Sequence, residues 1–216
     1  RWALADRSQY ARRSLTTQYQ ESDLAFLQRL LAEEGIYYWF EHAGDPGNAR
    51  LGAHTLVLAD NHQGARDLGA VRFHRSDVTE RTDSVQQWST ARRWCTTKVA
   101  RASWDYRTLE LRQASAEADT AHGAAGEDID TSGPYGWQDN ARGQRRAQQH
   151  LDALRVRAHT IEGQGSWRQL VPGAQFQLGQ HPGVDAGTSF LCLSVQHQAR
   201  NNLEADILDA LEQQLG

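Results

Sequence analysis

The sequence predicts an α+β fold, in which two helices are separated by short strands. Three observations support this prediction. One stretch has leucines at helical spacing between a capping serine and a terminal glycine. Several short runs are rich in aromatic and β-branched residues, and turn sequences containing Pro or Gly separate many of them. At 216 residues the chain is long enough for one large domain or two small ones.

The best-marked element is a helix over residues 22–34. Ser22 can accept hydrogen bonds from the first free N–H groups, and Asp23 suits the positive end of the helix dipole. Gly35 lies just beyond the last turn, where a left-handed residue is expected. The leucines of this stretch fall on one face: Leu24, Leu27, Leu30 and Leu31.

Strands are expected on both sides of this helix. Arg13–Gln20 mixes β-branched and aromatic residues, and Ile36–Phe40 is a short aromatic run. A turn at Asp45-Pro46-Gly47 precedes a third strand at His54–Leu58. Strand, helix, strand, loop and strand in this order form an α+β unit.

The second half of the chain is predicted to be mainly β-structure around one further helix. Residues 85–111 are rich in β-branched and aromatic side chains. Asp139 can cap a helix over residues 140–156, whose alanine and leucine residues form a modest apolar stripe. Three later strands are expected: Ala158–Glu162, Ala174–Leu178 and Ser189–Gln198.

Two segments are not predicted to join the sheets. Residues 113–141 carry acidic residues but no Lys or Arg, and the stretch 113–134 has few bulky apolar residues. Since such a stretch can bury little surface, we expect a mobile loop there. Residues 202–215 are expected to form an amphipathic terminal helix or a linker.

Composition excludes several classes of protein. The net charge of −4 gives no global attraction to nucleic acid or to an anionic membrane. No run of eighteen apolar residues exists, so no integral membrane span is predicted. The chain has no Met and begins at Arg1 without an apolar signal-peptide core, which leads us to expect an internal piece of a longer protein.

The common catalytic motifs are absent from the sequence. It has no GxSxG, HExxH, P-loop or GxGxxG pattern. Cys95 and Cys192 lack a CxxC partner, and we expect two buried reduced thiols. Glu33 and Glu34 are adjacent, so a solvated helix end explains them better than a general acid–base pair. We therefore predict no catalytic, cofactor-binding or metal-binding residue, and no cofactor.

Histidine and tryptophan were the remaining candidates for a binding site. The nine histidines do not pair at i,i+4 as a helical zinc site would require: His42, His54, His62, His74, His122, His150, His159, His181 and His197. Exposed tryptophans could stack on sugars or bases, but six of the seven lie in or beside predicted strands. For these, packing in a core or a subunit interface is favoured: Trp39, Trp88, Trp94, Trp104, Trp137 and Trp167.

Several motifs in order resemble the VgrG family, the trimeric spike of the type VI secretion system, also known as Rhs-element Vgr proteins. The longest is Gln18–His42, with the sequence QYQESDLAFLQRLLAEEGIYYWFEH. The shorter ones follow along about 200 residues: His54–Asp60, Ser103–Tyr106, Leu170–Leu178, His181-Pro182 and Phe190–His197.

The resemblance implies a phage-tail-hub-like fold, with two related β-barrel tube domains and a smaller α/β domain between them. On this mapping, residues 1–90 are the α/β domain and residues 91–200 are the second tube barrel. Residues 201–216 lead towards the collar. The implied assembly is a homotrimer that meets an Hcp-type tube ring, the baseplate and effector or adaptor proteins. It would assemble in the bacterial cytoplasm and then be secreted into target cells or the medium.

The resemblance thus implies a structural component that caps the secreted tube and carries the puncturing needle and effectors, and the missing catalytic motifs agree with a non-enzymatic role. A contractile phage or tailocin baseplate hub belongs to the same architectural class and stays open. From a different class, a spike-borne cell-wall hydrolase or a glycan-binding module also stays open. If the chain trimerises, we expect contacts on outward-facing strand positions: Trp104, Tyr106, Leu109 and Leu111.

Overall fold

The computed structural model describes residues 1–13, 15–44, 52–75, 82–118, 126–134, 136–137 and 139–199. Within these ranges two helices are present, α1 at Asp23–Glu33 and α2 at Asn140–Ala158, with one short 3-10 turn at Arg7–Gln9. The strands, in chain order, are β1 Trp2–Ala3, β2 Tyr37–Ala43, β3 Ala53–Ala59, β4 Arg66–Phe73, β5 Ser84–Arg92, β6 Thr96–Asp105, β7 Glu110–Glu117, β8 Gly126–Pro134, β9 His159–Gly165, β10 Ala174–Gly179 and β11 Ser189–Leu191.

The strands form three sheets, each mixed in strand direction. The first sheet has the order β1-β3-β2, in which β3 is antiparallel to β2 and parallel to β1. The second has the order β11-β10-β4-β5-β9, with a parallel centre and an antiparallel strand at each edge. The third has the order β7-β6-β8, in which β6 is antiparallel to β7 and parallel to β8.

Each sheet has its own hydrophobic core. In the first sheet, Trp39 packs with Val57 and Ala59. In the second, Phe176 is surrounded by aliphatic and aromatic side chains from neighbouring strands. In the third, α2 covers one face, and its Leu151 is completely buried. The α+β class predicted from sequence is therefore confirmed.

The predicted tube barrel is not seen as a closed barrel, since each of the three sheets has two free edges among the described residues. Strand β5 crosses the predicted domain boundary between residues 90 and 91 and pairs with β9. The second sheet therefore combines strands from both predicted domains. The division at residue 90 stays a prediction.

Both predicted helices are confirmed, together with their caps. The Ser22 hydroxyl accepts a hydrogen bond from the Ala25 N–H at 3.3 Å, and Gly35 follows α1 with a φ of +69°. The Asp139 carboxylate accepts from the Arg142 N–H at 2.8 Å, and α2 runs two residues beyond the predicted end. No helix in the described part of the chain is long and apolar enough to cross a membrane.

The strand predicted at Arg13–Gln20 is wrong, because the described residues of this stretch have no regular secondary structure. Its apolar side chains find no sheet to cover, and Leu15 and Tyr19 are exposed. The polar groups instead bind α1. Gln18 donates to the Asp23 carboxylate, and the Thr17 carbonyl accepts from Arg29.

The loop predicted at 113–141 is wrong over most of its length. β7 extends to Glu117, and Gly126–Pro134 forms β8 beside β6. Cations of β6 bind two of the three acidic side chains of β8: Lys98 binds Glu127 and Arg101 binds Asp128, each at 2.8 Å. The sequence pattern could not show that these partners lie on an adjacent strand. Residues 119–125 lie outside the described residues.

The remaining elements match in part. The aromatic run is confirmed as β2, and His54–Leu58 lies within β3. The last predicted strand is regular only at Ser189–Leu191. Strand β4 was missed, since its polar sequence with a central glycine has no strand-like pattern. The turn at 45–47 and the helix at 202–215 lie outside the described residues.

Candidate assembly surfaces

The third sheet has one covered face and one open face. α2 packs on the side that carries Val99, Ala114 and Ala116. Because side chains alternate along a strand, other residues of the same strands lie on the opposite side of the sheet. We call this side the outer face and define it by Ala100, Ala102, Trp104, Leu111 and Ile129. Trp104 lies directly opposite Leu111, and Ala100 opposite Ile129. Trp104, Leu111 and Ile129 are exposed and give this face an uncovered apolar patch, while Gln113 and Ser115 on the same face are exposed polar residues.

The β6–β7 hairpin extends this surface with an ordered turn. Asp105 is buried, and its carboxylate accepts from the Arg107 N–H at 2.9 Å and from the Arg112 Nε at 3.0 Å. Burial opposes ionisation of Asp105, but these hydrogen bonds outweigh it and lower its pKa. The fixed turn leaves Tyr106 and Leu109 exposed at its tip. All four side chains predicted as trimer contacts are therefore exposed on one hairpin.

A second feature links the two helices through one carboxylate. Glu34, directly after α1, is buried and accepts from Arg13 at 2.8 Å, Arg142 at 2.8 Å and Arg146 at 3.1 Å. Arg145 lies 3.7 Å from its second carboxylate oxygen. Burial alone would raise the pKa of Glu34, but the surrounding guanidinium groups outweigh burial and lower it. We call these five residues the Glu34 cluster.

The Glu34 cluster corrects the prediction that Glu33 and Glu34 form a solvated helix end. Only Glu33 is half-exposed, and it binds Arg13 and Arg29. Glu34 is buried because α2 brings three arginines to it from more than 100 positions along the chain. The only sequence signal was the Arg-rich start of α2, which does not identify its partner.

The tryptophans divide into packed and exposed groups. Trp39 and Trp137 are buried, and Trp88 and Trp167 are half-buried against Phe176. Packing is confirmed for these four. Trp94, 87% exposed, and Trp104 are open to solvent, as is Trp2.

A cavity of about 520 Å³ opens beside the second sheet. Three aromatic residues line one side of it: Phe73, Trp88 and His181. The other lining residues are polar: Arg75, Gln86, Gln87, Ser89, Glu162 and Gln164. The Nε2 of Gln86 is buried without a hydrogen-bond partner. The cavity thus combines an aromatic side with polar groups, but it contains no nucleophile paired with a base.

The two cysteines are free thiols. Cys192 is buried as predicted, and burial raises the pKa of its thiol. Cys95 is only half-buried, which differs from the prediction. Among the described residues, no three or more His, Cys, Asp or Glu side chains come together as a metal site.

Comparison with known protein families decides what kind of chain this is. The model of the phage tail baseplate hub (GPD) family matches residues 1–203. The chain belongs to this baseplate hub family. The resemblance to VgrG proteins is confirmed as well, because this hub chain is similar to curated type VI secretion spike proteins over 86–89% of its length.

The relatives cover nearly the whole hub chain. It is 28% identical over 196 residues to the type VI secretion system spike protein VgrG4b of Pseudomonas aeruginosa, covering 89% of this chain and 23% of the relative. It is 29% identical over 209 residues to the actin cross-linking toxin VgrG1 of Vibrio cholerae, covering 91% of this chain and 18% of that protein. The hub chain therefore spans a quarter or less of these relatives.

A solved structure supports the fold independently. The tail protein from Neisseria meningitidis MC58 superposes with a TM-score of 0.50 at 14% sequence identity. The match covers 76% of the hub chain and 47% of the tail protein. At this identity the likeness shows a shared fold alone.

Proposed function

We propose that this chain is a structural part of a type VI secretion spike, one subunit of a trimeric hub that caps an Hcp-type tube. The intact protein would carry the puncturing needle and effectors, assemble with the baseplate in the bacterial cytoplasm, and then be secreted. The observation that carries this proposal is the hub-family match over residues 1–203, together with relatives named as type VI secretion spike proteins.

The outer face of the third sheet is the surface that we assign to contacts between subunits. It carries an exposed apolar patch, it lies opposite the face covered by α2, and it continues into the exposed hairpin tip. Burying such a face against another subunit would stabilise an assembly, whereas exposing it in a monomer is unfavourable. We further propose that the second sheet contributes to a tube barrel in the assembled hub.

No catalytic step belongs to this proposal. In the cavity beside the second sheet, the Ser89 hydroxyl donates to the Glu162 backbone carbonyl at 3.5 Å, and the His181 Nδ1 accepts from the Gly183 N–H at 3.1 Å. The hydroxyl and the imidazole are therefore not bonded to each other as a nucleophile and its base would be. Hydrolysis of peptidoglycan by the purified chain, abolished by Glu162→Gln, would instead support a spike-borne hydrolase. Binding in a glycan array, abolished by Trp88→Ala, would support a glycan-binding module.

A contractile phage or tailocin hub is the second candidate. It is favoured by the family's description as a phage tail baseplate hub and by the tail protein of Neisseria meningitidis. Both candidates share the trimeric hub. They differ in the rest of the particle, so a phage tail purified with this protein in it would favour the second.

The intact protein with Leu111→Asp and Ile129→Asp tests the proposal. Both side chains are exposed on the outer face, so the folded subunit should persist while the trimer is lost. Light scattering should then report a monomer, and the tube protein should no longer appear in the medium. Leu15→Asp is a matched control, because Leu15 is 81% exposed outside the third sheet. A double variant that still trimerises and secretes would contradict the assignment.

A further inference from the structure

Two histidines face each other across the first sheet. His42 of β2 is the direct cross-strand partner of His54 in β3. Their Nδ1 atoms are 2.6 Å apart, and the two rings are nearly perpendicular at 82°, with centroids separated by 4.7 Å. Both residues are exposed, so this pair is accessible from solvent.

The contact between the two Nδ1 atoms has a simple chemical meaning. One ring donates its Nδ1–H and the other accepts with its Nδ1 lone pair, so at least one imidazole is neutral. Both nitrogens therefore point to one place between the rings. If the donor ring moves its proton from Nδ1 to Nε2, which gives the other neutral tautomer, the lone pairs of both Nδ1 atoms converge on that place and a metal ion can bind there.

The distances suit a transition metal after a small adjustment. Bonds of about 2.0–2.1 Å from a metal to each imidazole nitrogen place the nitrogens roughly 2.9–3.4 Å apart, for octahedral or tetrahedral angles. The observed separation of 2.6 Å must widen by less than 1 Å. Rotation of exposed side chains supplies this change without moving the strands.

The surrounding sheet holds the two strands in position. β2 and β3 pair without a break from Tyr37↔Ala59 to Ala43↔Ala53, which fixes the Cα atoms of both histidines. Because side chains alternate along a strand, Phe40 and Leu56 lie beside the two histidines on the same face of the sheet. Glu41 lies on the opposite face, where it binds Arg1. The site is thus formed by two imidazoles on a fixed backbone.

We propose that His42 and His54 form a two-imidazole site for a divalent transition-metal ion of the zinc, nickel and copper group. Imidazole nitrogen suits these ions, whereas magnesium and calcium prefer oxygen ligands. Two protein ligands leave the remaining positions to water. The bound ion would join the ends of β2 and β3 farthest from the Trp39 core. This site does not depend on the role in secretion.

Zinc titration of the untagged chain, followed by NMR of the histidine rings, tests the site. We expect the ring signals of His42 and His54 to shift together and to saturate at one ion per chain. In calorimetry, His54→Gln and His42→Gln should each weaken zinc binding, on the order of a hundredfold, since the second ligand no longer adds its local concentration.

His62→Gln is the matched control, because His62 is also exposed but lies outside the β2–β3 pair, and its zinc affinity should equal that of the unchanged chain. The proposal is overturned if zinc first shifts the ring signals of other histidines, or if zinc binding is lost when Cys95 is replaced. It is also overturned if His54→Gln retains the original affinity.

Discussion

Gly35 ends α1 in the left-handed region, with a φ of +69°. A Cβ at this position would also come within 2.6 Å of the Gln149 side-chain Cδ, whose amide donates to the Glu34 carbonyl at 3.1 Å. Gly35→Ala should therefore cost about 1–2 kcal/mol from the backbone and about 1 kcal/mol more from the displaced hydrogen bond. A urea melt measures the sum.

Gly187→Ala is a control for the backbone contribution alone. Gly187 has a φ of +83°, and a Cβ there would meet no atom within 4 Å. Its loss in free energy of unfolding should be the smaller of the two. Equal losses for the two variants would mean that Gln149 moves aside without cost.

Glu34 is the residue whose charge matters most for the contact between the helices. Glu34→Gln removes the carboxylate but leaves Arg13, Arg142 and Arg146 close together, so we expect a loss on the order of 3 kcal/mol. Glu33→Gln is the adjacent control, and its partly exposed ion pairs should contribute less than about 1 kcal/mol. Chemical denaturation at neutral pH compares the two.

Acidification should reduce the contribution of Glu34. Its pKa in the folded state is below the ordinary value of 4.5, so the unfolded chain takes up a proton first as the pH falls. The stabilisation is therefore fully present above about pH 4.5 and declines below it. The difference in free energy of unfolding between the unchanged chain and Glu34→Gln should therefore become smaller as the pH falls below about 4.5. A difference that is constant with pH would contradict the low pKa.

At the scale of elements, the packing of α2 on the third sheet depends on the buried apolar residues of that helix. Leu151 is 0% exposed and packs in the core with Val99 and Trp137. Leu151→Ala should lower the free energy of unfolding by roughly 2–5 kcal/mol, through lost burial and the cavity that remains. Val156→Ala on the same helix should cost about 0.5 kcal/mol or less, because Val156 is 53% exposed. Similar melting curves for both variants would mean that α2 is not docked through Leu151.

At the scale of the whole molecule, we expect the 216-residue chain alone to be a monomer at micromolar concentration. The outer face offers only part of the contact area that an intact spike would bury, and association must first offset several kcal/mol of lost translational and rotational freedom. Light scattering over a concentration series measures this. A stable dimer of the chain would be incompatible with the three-fold hub.

The sequence by itself determined the features that depend on neighbouring residues. Ser22, Asp23 and Gly35 define α1 within about one turn of its ends, and Asp139 does the same for the start of α2. Hydrogen bonds and dipoles at helix ends act over a few residues, so a local pattern suffices to predict them. The ordered VgrG motifs were enough to predict the family.

Only the tertiary structure decided which distant residues meet. Whether Arg13–Gln20 joins a sheet, whether residues 126–134 find β6, and whether Glu34 is buried all depend on partners far along the chain. The contact between His42 and His54 likewise requires the register of β2 on β3. A local pattern gives each residue's preference, but strand pairing and charge neutralisation are properties of two segments. The free energy gained from strand pairing and from charge neutralisation is therefore determined only when the fold brings the two segments into contact.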